Sequence, residues 1–270
     1  MKIIVAGDFH GHFGPVNTMI AKQNPSIILQ CGDFGWWPRV HGQTFSTGYM
    51  KRNQWDQYSL KNKDTKIFWC PGNHEDWESL NGIDPDNNEV MKNVYYMERG
   101  TILELLDHRK CLFIGGGLSI DRKDRIERSP AFGWFHEETI SQKDIEELPD
   151  EEIDIIISHT GPNEFEIDDY HADYEHDPSR DALSYVLKKY QPKLWYFGHM
   201  HKFQTGKYKD CKYFERLKYH KVLGGGEQCG GNCPLLLKVL QIDNVDLIFI
   251  KNIYVQDSFG CNLGRKGTKK

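Results

Sequence analysis

Five short stretches of this chain carry side chains whose chemistry could combine: Asp8-Phe9-His10, Gly32-Asp33, Gly72-Asn73-His74-Glu75, His159 and Gly198-His199-Met200-His201. Carboxylates, amide oxygens and imidazoles bind divalent metal ions, and imidazole also exchanges protons near neutral pH. Asp8 and His10 are two residues apart, so an extended backbone would point them the same way and let them grip one ion together. Taken singly, His10 or His159 reads as an ordinary polar residue and Gly32-Asp33 as a turn. What raises them above that is placement. Each stretch follows an apolar run directly: Ile3-Ile4-Val5, Ser26 to Gln30, Lys66 to Trp69, Ile153 to Ile157, and Leu194 to Phe197.

Those runs are expected strands, and the segments between them supply helices. Pro15 is well placed to start a helix with Val16, Met19 and Ile20 as its apolar stripe; further helices are expected over Tyr49–Lys61 and Asp181–Tyr190. Repeated βα units bring strand tips to one sheet edge, where open α/β sheets bind ligands, so distance along the chain does not prevent convergence. The middle of the chain differs. Val94–Met97, Thr101–Leu106 and Cys111–Ile114 follow one another without a long helix, which predicts antiparallel pairing. Gly115-Gly116-Gly117 then opens a charged and aromatic loop through His136, followed by a helix over Glu137–Leu148 that Pro149 stops. The remainder, to about Ile250, is strand-like with Gly-rich turns and is expected to complete a second sheet.

Composition narrows the function classes. At 270 residues the chain can bury a full core, and no Pro/Gly/Ser-rich linker divides it, so one domain is expected over 1–255 with a basic tail at 256–270. A net charge of −5 gives no broad attraction to nucleic acid, and no stretch approaches the roughly 20 apolar residues that cross a bilayer, so no membrane partner is expected. The first strand starts at Lys2, which leaves no room for a signal sequence, and seven cysteines, an odd number, suit free thiols; a cytoplasmic location is expected. Cys229-Gly-Gly-Asn-Cys233 lacks an obvious fourth ligand for zinc and reads as a loop pair.

In this order, Asp8-x-His10, Gly32-Asp33, Gly72-Asn73-His74-Glu75, His159 and Gly198-His199-x-His201 resemble the signature of the calcineurin-like metallophosphoesterases, over about residues 1 to 205. The resemblance implies an α/β fold, a two-sheet αββα sandwich with a binuclear metal centre between the sheet ends. It would put Asp8, His10 and His201 on one metal, Asn73, His159 and His199 on the other, and Asp33 between them. The mixed oxygen and imidazole set suits transition metals, manganese first, with iron or zinc as alternatives. His74 would be the catalytic group, touching a phosphoryl oxygen or protonating the leaving alkoxide, with Glu75 and Asp76 orienting His74 or a ligand histidine. The implied reaction is attack on phosphorus by a hydroxide that bridges the metals.

The substrate is less defined. Protein phosphatases of this superfamily continue Gly-Asp with Asp-Arg-Gly; here the chain reads Phe34-Gly35-Trp36-Trp37-Pro38-Arg39, and Arg39 reads as a surface residue. Together with the paired His199-x-His201 ending, this resembles the phosphodiesterase branches, and a nucleotide or single-stranded nucleic acid is the expected substrate. The alternatives are a phosphomonoesterase of small molecules or phosphoproteins and a non-catalytic scaffold. Cys31 to Phe34, Gly72 to Glu75, Asn93 to Tyr96 and Ser158 to Pro162 also resemble lariat-debranching enzymes, which carry cysteine where this chain has Asp8. In the loop 118–136, Arg122, Lys123, Arg125 and Arg128 could meet phosphate and Phe132, Trp134 and Phe135 could stack on a base; a solvated ion-pair loop is the equal alternative. Trp36 and Trp37 are either a pocket wall or core. The acidic loop 164–177, with His171 and His176, reads as a solvated excursion.

Overall fold

The computed structural model describes residues 1–38, 60–128, 133–165 and 176–201, and the backbone of 232–235, 237–239 and 253–256. The helix expected at 49–61 lies almost wholly outside these residues; Arg39, Phe132, His171, Cys229 and residues 257–270 of the basic tail lie outside them entirely.

Two sheets form the centre of the molecule. Strands β1 (Ile3–Ala6), β2 (Ile27–Cys31), β3 (Lys66–Cys70) and β5 (Val94–Tyr96) lie side by side in parallel, with β4 (Glu89–Met91) and β11 (Leu237–Val239) as antiparallel edges. In the second sheet β7 (Lys110–Ile114), β8 (Ile155–Ser158) and β9 (Leu194–Tyr196) are parallel and β6 (Ile102–Glu104) is the antiparallel edge. Strands β10 (Asn232–Leu235) and β12 (Ile253–Gln256) pair separately.

The period-two alternation of side chains explains why these strands read as unbroken apolar runs: both faces are buried. Ile3, Val5, Leu29 and Cys31 meet Cys111, Phe113, Ile155 and Ile157 between the sheets. The alternate residues Ile4, Ala6, Ile28 and Ile67 face outward onto Phe13, Val16, Met19 and Ile20 of the helix Phe13–Gln23. On the far side Leu112, Ile114 and Ile156 take Leu183, Val186 and Leu187 of the helix Pro178–Tyr190, which Asp177 caps through the amides of Ser179 and Arg180. The result is the expected αββα order. No helix among the described residues is long and apolar enough to cross a membrane.

Four expectations need correction. The strand at Val94 does not pair with its successors; it runs parallel to β3 in the first sheet, and only β6 and β7 form the antiparallel pair. The chain changes sheets between them, at a turn where Gly100 has a φ of 89° and donates to Phe113 O. Leu237–Val239 extends the first sheet beside β1 rather than the second. The helix expected over 137–148 is two pieces, a 3₁₀ turn at His136–Glu138 and a helix at Gln142–Glu146, because Ser141 intervenes as an N-cap reciprocated by Asp144. The supposed loop 118–136 contains a helix, Arg122–Arg128.

Candidate metal centre

Five strand ends converge, and backbone hydrogen bonds lock them to one another. Asp8 N donates to Gly32 O at 3.0 Å, His10 N to Asp33 O at 2.7 Å, and Gly198 N to His159 O at 2.9 Å. Gly116 N reaches across the sheets to Pro71 O at 2.8 Å. At these ends the backbone turns sharply: Asp8, His10, Asp33, His199 and His201 all have φ between 47° and 70°. The left-handed region costs a non-glycine residue on the order of 1 kcal/mol or more, and it persists where surrounding bonds over-determine it.

Each carboxylate is half used. Asp33 accepts from His74 N at its Oδ1, 2.9 Å away, and Asp8 accepts from His199 N at its Oδ1, 3.0 Å away. The other oxygens, Asp8 Oδ2 and Asp33 Oδ2, are buried without a hydrogen-bond partner. A buried orphan carboxylate oxygen is costly unless a cation takes it, and here two occur together.

Imidazoles surround those oxygens. Asp33 Oδ2 lies 3.5 Å from His10 Nε2 and 3.4 Å from His159 Nε2. On one side His10 Nε2 is 3.1 Å from His201 Nε2, which is 3.5 Å from Asp8 Oδ1. The ligand atoms of Asp8, His10, Asp33 and His201 all lie within 4.8 Å of one another, a group that could hold a metal ion. On the other side His159 Nε2 is 3.0 Å from Asn73 Oδ1, and the ring of His199 packs edge-on to that of His159 with centroids 4.8 Å apart. Such spacings are those of neighbouring vertices around an ion with bonds of about 2.0–2.2 Å. The donor set of Asp8, His10, Asp33 and His201 therefore fits a divalent metal ion, and of the other residues expected as ligands Asn73 and His159 adjoin Asp33 while His199 packs beside His159.

Charge balance follows. Burial pushes the Asp33 carboxyl up, but the imidazoles of His159, His10 and His74 outweigh it and hold it well below the usual carboxylate range. Burial alone would lower His159; Asp33 and Asp8 reverse this and raise it to about 9. His74 is driven well below the ordinary histidine value, chiefly by burial, with Asp33 opposing. Its ring stands edge-on to His10 at 5.5 Å, so it borders the metal cluster from the first sheet, and its carbonyl is held by Trp37 Nε1 at 2.7 Å.

Several supporting residues differ from expectation. Glu75 does not orient His74 through its carboxylate; its oxygens accept from Gly35 N at 2.8 Å and from Gly72 N, tying the loops after β2 and β3 together. Asp76 caps the short helix Trp77–Leu80, accepting from Ser79. Trp37 is fully buried and Trp36 packs on the first core cluster, so both are core. Arg125 is no phosphate contact: it is 2% exposed, with Nη2 on Glu138 Oε1 at 2.7 Å and on Asn73 O at 3.0 Å. Trp134 lies under the Arg122 guanidinium, 4.2 Å from its ring centre, and Phe135 packs on the first core cluster. His176 is exposed and pairs with Asp181 at 2.9 Å. Nothing in the sequence pointed to Ser119 and Arg125 as partners of Asn73, or to Glu138 as the acceptor that holds both; the signal available, Ser119, Asp121 and Arg125 following the glycine run, fixes no partner.

The model of the calcineurin-like phosphoesterase family matches residues 1–203. No curated protein matches the chain. One solved crystal structure is 14% identical, covering 73% of this chain and 83% of its own, with a TM-score of 0.40. A second, of a novel archaeal phosphodiesterase, is 15% identical and covers 63% of this chain and 79% of its own, with a TM-score of 0.30. At these scores neither adds to what the fold itself shows, and nothing in the matches supports the likeness to lariat-debranching enzymes.

Proposed function

Because the chain belongs to the calcineurin-like phosphoesterase family, we propose that it is a two-metal phosphodiesterase acting on a nucleotide or nucleic-acid-like substrate, with manganese as the working ion. The observation that carries this is the position of Asp33 Oδ2, orphaned and equidistant from His10 and His159, at the junction of two ligand groups. Asp8, His10 and His201 would hold one ion, Asn73, His159 and His199 the other, and Asp33 both. Two divalent ions so placed supply a lowered pKa for bound water and neutralise charge on a phosphoryl group.

The chain's own residues do the rest. His74, held through its amide by Asp33 and its carbonyl by Trp37, presents an imidazole beside His10 and gives a hydrogen bond from its ring N–H to a phosphoryl oxygen. The diester preference is supported by the residue after Asp33 and by the fate of the nearby arginine. Phe34, in the segment after Gly32-Asp33 that lacks the Asp-Arg-Gly of protein phosphatases, is fully buried and stacks on Trp69 at 4.8 Å, and Arg125 is committed to Glu138. A monoester dianion gains from an arginine clamp more than a diester monoanion does.

The test is hydrolysis with added Mn²⁺. The protein should cleave bis(p-nitrophenyl) phosphate faster than p-nitrophenyl phosphate, and a panel of cyclic nucleotides, dinucleotides and short single strands should contain its substrate. Faster cleavage of the monoester overturns the diesterase assignment.

A further inference from the structure

An asparagine ligates a metal only through Oδ1; its amide nitrogen carries two protons and has no lone pair to give. The two ends of the amide are nearly the same shape, so packing alone does not choose which end faces the ions. Hydrogen-bond polarity does. Resting on the two-metal assignment, we propose that Ser119, clamped by Arg125 and Glu138, is the positioning residue that turns Asn73 Oδ1 toward the second metal position.

The proton inventory decides the orientation. Asn73 is 3% exposed, with Nδ2 3.0 Å from Ser119 Oγ and Oδ1 3.0 Å from His159 Nε2. Ser119 Oγ has one proton and two lone pairs. The proton goes to Glu138 Oε2, and one lone pair accepts from Arg125 Nη1, which is a donor only. The remaining lone pair must meet a donor, and that donor is Asn73 Nδ2. A flipped amide would set Oδ1 against an oxygen with no proton left to offer. The clamp is itself fixed: Arg125 also holds Asn73 O, and Glu138 accepts from Phe135 N at 3.1 Å while its own carbonyl takes Gly117 N at 2.8 Å. Ser119, Arg125 and Glu138 are 3%, 2% and 0% exposed, so water does not compete for these bonds.

The experiment is calorimetric titration of the chelator-treated full chain with Mn²⁺, which reads each equivalent without any assay of activity. The wild type should bind two equivalents. Ser119→Ala should keep the equivalent at Asp8, His10 and His201 unchanged and weaken the other about 10–100-fold, the usual effect of losing a group that orients a ligand. Asn73→Asp has oxygen at both ends and no wrong face. In that background Ser119→Ala removes only an oxygen that faces a carboxylate oxygen and should not weaken the second equivalent, a non-additivity expected only of residues that act through one another. An equal loss in both backgrounds, or no loss in the Asn73 chain, overturns the positioning role. Glu138→Gln, which removes the acceptor for the Ser119 proton, should show the same dependence on residue 73 and serves if Ser119→Ala does not fold. A wild type that takes up fewer than two equivalents overturns the two-metal assignment and this one with it.

Discussion

His159 Nδ1, at the end of the second sheet, lies 2.8 Å from the carbonyl oxygen of Cys31, the last residue of β2 in the first. Donating there leaves Nε2 as the atom turned toward Asp33 and Asn73, so one bond across the sandwich fixes both the ring's tautomer and its aim. Gly32, next in sequence, has a φ of 88°, and a Cβ on it would enter the His159 ring.

Gly32→Ala should therefore lose stability by about 2–4 kcal/mol, combining backbone strain with overpacking. Urea unfolding of the variant would show it, and a change under about 1 kcal/mol would mean that the ring yields easily.

The shared position of Asp33 predicts unequal metal losses. Asp8→Ala and Asn73→Ala should each lose one equivalent of Mn²⁺ and Asp33→Ala two. Metal analysis of the purified chains measures this, and one equivalent retained by Asp33→Ala would show that Asp33 serves a single ion.

His74 borders the cluster without belonging to the closest group of ligand atoms. His74→Ala should keep wild-type metal content while kcat on a diester falls roughly 10²–10⁴-fold. Loss of metal in this variant would make His74 a ligand instead.

Arg125 and Glu138 form a buried ion pair. Arg125→Met strands a buried carboxylate and should cost about 3–5 kcal/mol, whereas Arg125→Met with Glu138→Leu should cost less than the single change. Denaturant melts of both variants measure the two losses, and a double variant at least as destabilised as the single one would show that the stranded carboxylate is not the source of the cost.

Asp144 pairs with Arg99 at 3.2 Å, and Arg99 in turn holds Gly115 O at 2.7 Å. Burial raises the Asp144 carboxyl, but Arg99 and the bonds from Ser141 outweigh it and leave it lowered. A carboxyl lowered in the native state adds stability above its unfolded pKa and loses it as pH falls through the native value. Asp144→Asn should thus cost about 1 kcal/mol at neutral pH and progressively less below about pH 4, as thermal melts across that range would reveal.

The strands that carry the candidate site, and the order and types of the polar residues that end them, are legible in the chain alone. An apolar run buried on both faces, and the polar residue that ends it, are local features, legible at Ile3–Ala6 before Asp8 and at Ile155–Ser158 before His159. Tertiary structure alone decided which sheet each strand joins, as at Val94, because pairing partners are chosen by packing between distant segments. It alone decided that Arg125 serves Glu138 and Asn73 rather than a phosphate, since a guanidinium goes where burial leaves a carboxylate to neutralise. And only the meeting of two sheets could set Cys31 against His159, 128 residues apart, so that Asp33 stands between His10 and His159 and not merely after a strand.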